Sequence, residues 1–179
     1  ARLKVAQSLY QEGDFLKAAR YYFSVYTDEN FHGEDGQILA MITDSLLRAK
    51  FPQTAAYFYI KTLQSSSVTG KKRILRYLPR MVEATGIDIL KNHVIRYTKE
   101  EDYDTEAKNV FFYALGKDKL LKGDTQGALD ALKKVSYTSS TGAAAAQLRA
   151  SAHAILNQAD QAIDMFKVCE RNASRRHSG

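Results

Sequence analysis

The chain has 179 residues, with 26 Lys and Arg against 20 Asp and Glu and a formal net charge of +6. That is length enough for a sizeable core, and two prolines with ten glycines are too few for the turns of an all-β chain. A single cysteine, Cys169, excludes an internal disulfide and a cysteine-based zinc site, and no apolar run approaches the roughly 18 residues of a membrane span.

Taken in chain order, apolar residues recur at spacings of three and four, which predicts amphipathic helices. First helices are expected near 2–12, 35–49, 70–84, 105–122 and 142–156, each followed by a second near 14–27, 52–65, 87–98, 125–136 and 159–171. The opening pair contains Gln11-Glu-Gly13-Asp14, a helix-ending glycine followed by a fresh helix start. In the next, Lys50-Phe51-Pro52 replaces the glycine turn with a proline suited to a first turn. Thr85-Gly86-Ile-Asp88 is the turn of the third, whose first helix contains Pro79. Lys122-Gly123-Asp124 and Asn157-Gln-Ala-Asp160 serve the fourth and fifth. Residues 65–70 and 136–142 read as loops between pairs, and 172–179 as a frayed tail. Cys169 falls on the apolar face of the last helix, as inert core.

A repeat underlies this succession. Small or apolar anchors fall at Ala18, Ala55, Leu90, Ala128 and Ala162, spaced by 37, 35, 38 and 34 residues. The units run about 1–34, 35–69, 70–104, 105–141 and 142–171, and no linker divides them into separate domains.

In these residues the chain resembles the tetratricopeptide repeat (TPR) family, as a divergent array. Lys122 through Leu132 is similar to that family's second-helix phrase, with Gly116 and Phe112 in the small and large places of the first helix. No unit has the family's tryptophan or closing proline, and Leu90 stands where the third unit should have alanine. The resemblance implies an all-α fold, a right-handed α-α superhelix (solenoid) of about five antiparallel helix pairs spanning residues 1–171.

The resemblance also implies that first helices line a groove. Carried over position by position, that groove takes Gln7 and Tyr10, then Gln37, Ala40, Asp44 and Leu47, then Lys72, Leu75 and Arg76. The fourth unit adds Tyr113, Lys117 and Leu120, and the fifth adds Gln147, Ser151 and Ala154. Some family members clamp a partner's C-terminal carboxylate; Lys72 and Arg76 match part of that clamp, whereas Leu3, Gln7 and Met41 do not.

Three aromatic runs, Tyr21-Tyr22-Phe23, Tyr57-Phe58-Tyr59 and Phe111-Phe112-Tyr113, cannot each be wholly core, since neighbours on a helix diverge by about 100°. Most of these rings are expected to pack between helices, with Tyr10 and Tyr113 left for the groove.

Histidines 32, 93, 153 and 177 lack second ligands at helical spacing, so no metal site is expected. Thr69-Gly70-Lys71-Lys72 lacks the upstream glycine and strand of a phosphate loop, and no positioned base accompanies the hydroxyls and carboxylates, so neither cofactor nor catalysis is expected. Asn172-Ala-Ser174 fits a glycosylation acceptor of low specificity.

The functional expectation is a non-catalytic protein–protein adaptor that takes a peptide or helix of a partner in its concave groove. One alternative is a self-assembly module of a larger, bacterial envelope protein, forming a homo-oligomer through its terminal units. The other is a binder of an acidic ligand or nucleic acid through the basic cluster Lys71, Lys72, Arg73, Arg76 and Arg80. Without aromatic residues interleaved along a basic strip, no nucleic acid is expected. The chain begins at Ala1 without Met, and leaves a cytoplasmic and an envelope address both open.

Overall fold

The computed structural model describes residues 1–176, except for the side chains at 172, 173, 175 and 176. His177, and part of both the expected tail and the Asn172 acceptor tripeptide, therefore lie outside the described residues. Among the described residues the chain is all-helical, with eleven α-helices, a short 3₁₀ turn and no strand. It divides into two compact units, residues 1–93 and residues from 94 onward.

The first unit holds α1 (Arg2–Gln11), α2 (Phe15–Tyr26), α3 (Asp35–Arg48), α4 (Pro52–Gln64), α5 (Val68–Leu75) and α6 (Leu78–Thr85). The division falls within α7 (Lys91–Tyr97). Each helix packs on the next from α1 to α5, and the first helices α3 and α5 also meet directly. Tyr22, Ile42, Leu47, Tyr59, Leu63 and Ile74 are fully buried side chains of this core.

The second unit holds the 3₁₀ turn Glu100–Asp102, then α8 (Thr105–Leu121), α9 (Thr125–Leu132), α10 (Gly142–Ile155) and α11 (Ala159–Arg176). Its packing repeats the same scheme, with α8 on α9, α9 on α10, α10 on α11, and the first helices α8 and α10 in contact. Gly116 lets α8 approach α9, because a Cβ there would fall 2.4 Å from Leu132 Cγ.

All five repeat anchors, Ala18, Ala55, Leu90, Ala128 and Ala162, are buried. The turns inside the pairs share one backbone device. Gly13, Lys50, Gly123 and Asn157 adopt left-handed φ between 58° and 85°. In each, the following N–H closes a six-residue ring: Asp14 to Leu9, Phe51 to Leu46, Asp124 to Lys119 and Gln158 to His153, all at 2.9 Å. The left-handed residue itself donates to Tyr10, Leu47, Leu120 or Ala154. These bonds together satisfy two orphan carbonyls at each helix end, the Schellman arrangement. Only the third pair differs: Gly86 makes the simpler bond to Val82, at 2.8 Å.

Where a proline is expected to replace the glycine turn, Lys50 instead takes the left-handed conformation that glycine takes at 13 and 123. A non-glycine residue there pays about 1–2 kcal/mol of Cβ strain. Lys50→Gly is therefore expected to stabilise the chain by roughly 0.5–1 kcal/mol, after the added freedom of the unfolded glycine is subtracted. Urea unfolding would register that as a higher midpoint; a lower midpoint would show that the Lys50 side chain matters more than the strain.

The third pair departs most from the expected map. The single helix near 70–84 is two helices, α5 and α6, because Pro79 lacks an N–H and would clash with the carbonyl one turn back. The proline instead sits in the first turn of α6, where no N–H is needed. The loop expected at 65–70 is shorter, since Ser67 caps α5 by accepting from the Gly70 N–H at 3.0 Å. The second helix expected over 87–98 is confined to α7. In the fourth pair, α9 stops at Leu132, and the chain then turns so that Ser136 N–H donates to Asn109 Oδ1 of α8 at 2.8 Å. By contrast α11 runs past its expected end at 171.

The aromatic runs split as helical geometry requires. Tyr22, Phe58 and Tyr59 are buried while Tyr21, Phe23 and Tyr57 are exposed, and Phe111 and Phe112 are both core with Tyr113 half-buried. Cys169 is half-buried on α11.

Candidate functional site

In the first unit α1, α3 and α5 frame a cleft of about 580 Å³. Its wall is formed by Leu3, Gln7, Tyr10 and Gln11 of α1, Gln37, Ile38 and Met41 of α3, Tyr22 and Arg73. The wall therefore carries three primary amides, two phenol rings and one guanidinium, with no carboxylate.

Beside the cleft lies a closed polar network centred on Asp44, whose carboxylate is wholly buried. Its Oδ1 accepts from Arg48 Nε at 3.0 Å and from the Tyr77 hydroxyl at 2.8 Å. Its Oδ2 accepts from the Tyr10 hydroxyl at 2.8 Å and from Arg73 at 3.2 Å. Arg76 in turn donates to the Tyr77 hydroxyl at 2.9 Å. Local structure explains why these groups converge. Arg48 follows Asp44 by one turn of α3, and the break at Pro79 leaves Tyr77 at the head of α6, free of the α5 helix path. Arg48 also stacks over the Tyr10 and Phe15 rings, at 5.5 and 5.4 Å from their centroids.

The electrostatics follow from this geometry. Burial alone would raise the Asp44 pKa, but hydrogen bonds from Tyr77, Tyr10 and Arg48 outweigh it and hold the carboxyl below its ordinary value. Burial first, then donation to Asp44, pushes the Tyr10 phenol up. The bond to Asp44 raises Arg48, and the bond to Tyr77 raises Arg76. Asp44, Tyr10, Arg48 and Arg76 thus keep their ordinary charges at neutral pH, and the network props the cleft wall from behind.

The residues expected to line a groove have separate fates. Gln7, Tyr10 and Gln37 are brought together on the cleft. Asp44 is the buried hub behind it, and Leu47, Ala40 and Leu75 belong to the core. Lys72 and Arg76 are exposed, Arg76 being turned onto Tyr77. In the second unit Tyr113, Lys117 and Leu120 are half-buried, while Gln147, Ser151 and Ala154 are exposed.

The basic cluster is largely occupied by the fold itself. Arg73 serves Asp44, Arg76 serves Tyr77, and Arg80 donates to the Leu47 carbonyl at 3.0 Å. Arg48 and Tyr77 escaped the sequence reading, and Arg73 entered it only as one of the basic cluster. The spacing of Asp44 and Arg48 was the one local signal for them, since the other partners come from helices one repeat away.

Among the described residues no three or more His, Cys, Asp or Glu side chains cluster to hold a metal ion, and no helix is long and apolar enough to cross a membrane. His153 is buried, with Nδ1 2.6 Å from Gln158 Oε1 across the last intra-pair turn, a structural contact.

No known protein family matches the chain, and no curated protein does. Among solved structures, the crystal structure of MamA is similar over 98% of this chain and 98% of its own, with a TM-score of 0.53 and 16% identity. At that identity the likeness is one of fold: both chains are helical repeat proteins.

Proposed function

We propose that this chain is a divergent TPR-like scaffold that takes a peptide or helix of a partner protein against the first helices of its pairs, and that it does no chemistry itself. The observation that carries this reading is the cleft on α1, α3 and α5, walled by amide and phenol groups and backed by the Asp44 network. Amides offer both a donor and an acceptor to a peptide backbone, and phenol rings give contact area at low entropic cost. The repeat fold supports the reading, because stacked repeats create the extended concave surfaces with which such arrays bind.

The test is capture of a partner by the whole chain, repeated with Gln7→Trp and Gln37→Trp together. Both side chains are exposed on the cleft wall, so indole rings should fill the cleft and leave the fold intact. Binding is expected to fall at least about tenfold, or ~1.4 kcal/mol, with the circular dichroism and melting curve unchanged. A partner retained at full affinity would place the interaction elsewhere.

A second reading, self-association through the terminal pair, draws on Ile155, Ile163 and Phe166, which are 61%, 51% and 49% exposed on α10 and α11. Light scattering over a wide concentration range decides it: a mass that stays monomeric throughout removes this reading.

A further inference from the structure

The arrangement around Asp44 leaves an excess of positive charge. Each oxygen of the carboxylate accepts two hydrogen bonds, one from a guanidinium and one from a tyrosine hydroxyl. An ionised carboxylate offers about four lone-pair sites, so Asp44 is saturated. Two arginines nevertheless touch it directly, and Arg76 reaches it through Tyr77. Three guanidinium groups thus share one anion.

Of the three, Arg73 is the one on the cleft wall. Its side chain is 39% exposed and spends one NH group on Asp44. A guanidinium has five N–H donors in a fixed fork, and Arg73 also bonds the Tyr10 hydroxyl, so donors remain for the cleft beyond those two partners. No carboxylate lines that cleft. Glu34, at the head of α3, is occupied by Gln37 and Ser67, at 2.7 and 3.0 Å. The same wall also carries the apolar side chains of Leu3, Ile38 and Met41, and the amides of Gln7 and Gln11.

We propose that the cleft takes an extended peptide segment bearing an aspartate or glutamate, whose side-chain carboxylate pairs with Arg73 while an adjacent apolar side chain lies on Leu3, Ile38 and Met41. The proposal rests on the groove reading above and adds the chemistry of the partner. A single guanidinium fits a single carboxylate. A nucleic acid backbone would require several cations at phosphate spacing, and Arg73 is the sole cation among the residues lining the cleft.

The test is selection of a random dodecapeptide phage library on the immobilised full chain. The peptides are fused to the coat protein at their C-terminus, so that only side-chain carboxylates are on offer. Enriched peptides are expected to share one acidic position beside an apolar one. A synthetic copy with that acid changed to its amide should bind the unmodified protein at least tenfold more weakly, and the difference should shrink as salt is added. With Arg73→Gln the acid and amide peptides should bind alike; Asp44 keeps three donors in that variant, and a melting curve verifies its fold.

Acid and amide peptides that bind the unmodified protein equally, with binding blocked by the Gln7→Trp and Gln37→Trp pair, would overturn the charge assignment and leave the groove standing. Peptides indifferent to those tryptophans, or no enrichment at all, would overturn both.

Discussion

Asp44→Asn is expected to cost about 3 kcal/mol of folding stability at neutral pH, the largest effect of any polar substitution in the first unit. The change is nearly isosteric, so it leaves no cavity. It replaces one acceptor oxygen by an NH₂ that faces existing donors, and it strips the counter-charge from Arg48 and Arg73. Removing one partner from a buried pair costs roughly 3–5 kcal/mol. The lower end applies because the Arg48 and Arg73 side chains are 44% and 39% exposed, so water screens the orphaned charges.

The pH dependence has a definite sign. The folded Asp44 carboxyl titrates below the ordinary aspartate value of about 3.9. Below that ordinary value the unfolded chain therefore binds a proton that the folded chain does not. The contribution of Asp44 is full above pH ~4 and is lost as the pH falls through the lower, folded value. Urea midpoints of the wild type and Asp44→Asn should lie well apart at pH 7 and converge in acid. A gap that is small at pH 7, or that does not close in acid, would show that the network contributes little beyond its geometry.

Gly70→Ala should cost about 2–3 kcal/mol, against the sign that helix propensity gives. In an exposed helix interior, Gly to Ala gains about 1 kcal/mol. Here a Cβ would fall 2.3 Å from the carbonyl oxygen of Gly36 and 2.7 Å from its carbon. Those are backbone atoms, which cannot rotate aside as a side chain can. The α3 and α5 helices must part at their closest point, and overpacking of that kind typically costs 1–3 kcal/mol. Gly36 is locked in the same way, since a Cβ there would strike Ser67 Cβ at 2.3 Å. The separation also has a reach beyond stability: α5 carries Arg73, so displacing it should loosen the bond to Asp44 as well as lower the melting temperature. An unchanged or raised melting temperature would mean that the two helices have room to spare.

The two substitutions show where sequence reasoning succeeds and where it stops. Helix pairs, their order and the five anchors were legible because each depends on neighbours within one or two turns. Apolar spacing, a helix start at Asp14 and a glycine after a helix end are local signals. The same logic failed at Lys50, where tertiary structure imposes a left-handed turn that the residue itself does not announce. At Pro79 the local signal was present, but the expected helix over 70–84 overrode it, and the structure places the break where proline chemistry demands.

The candidate site was legible in outline only. Position in the repeat pointed to Gln7, Tyr10 and Gln37, which do meet on the cleft. It also pointed to Leu47, which is core, and to Asp44, whose surroundings reverse its expected part. Position in the repeat placed Asp44 among the groove-lining residues. With four donors closed around it, the same aspartate becomes the buried prop of the cleft.

What the sequence determined by itself was the secondary structure and its repetition, because backbone propensity, capping and apolar period act between residues at most a few positions apart. What only the tertiary structure decided was the identity of each side chain's neighbours. Tyr10, Arg73 and Tyr77 lie 34, 29 and 33 residues from Asp44. Over that separation no periodic signal tells a core aspartate from an exposed one. Burial and hydrogen bonding are set by which helix faces meet, and that depends on close approaches such as Gly36 against Gly70 that stacking alone creates.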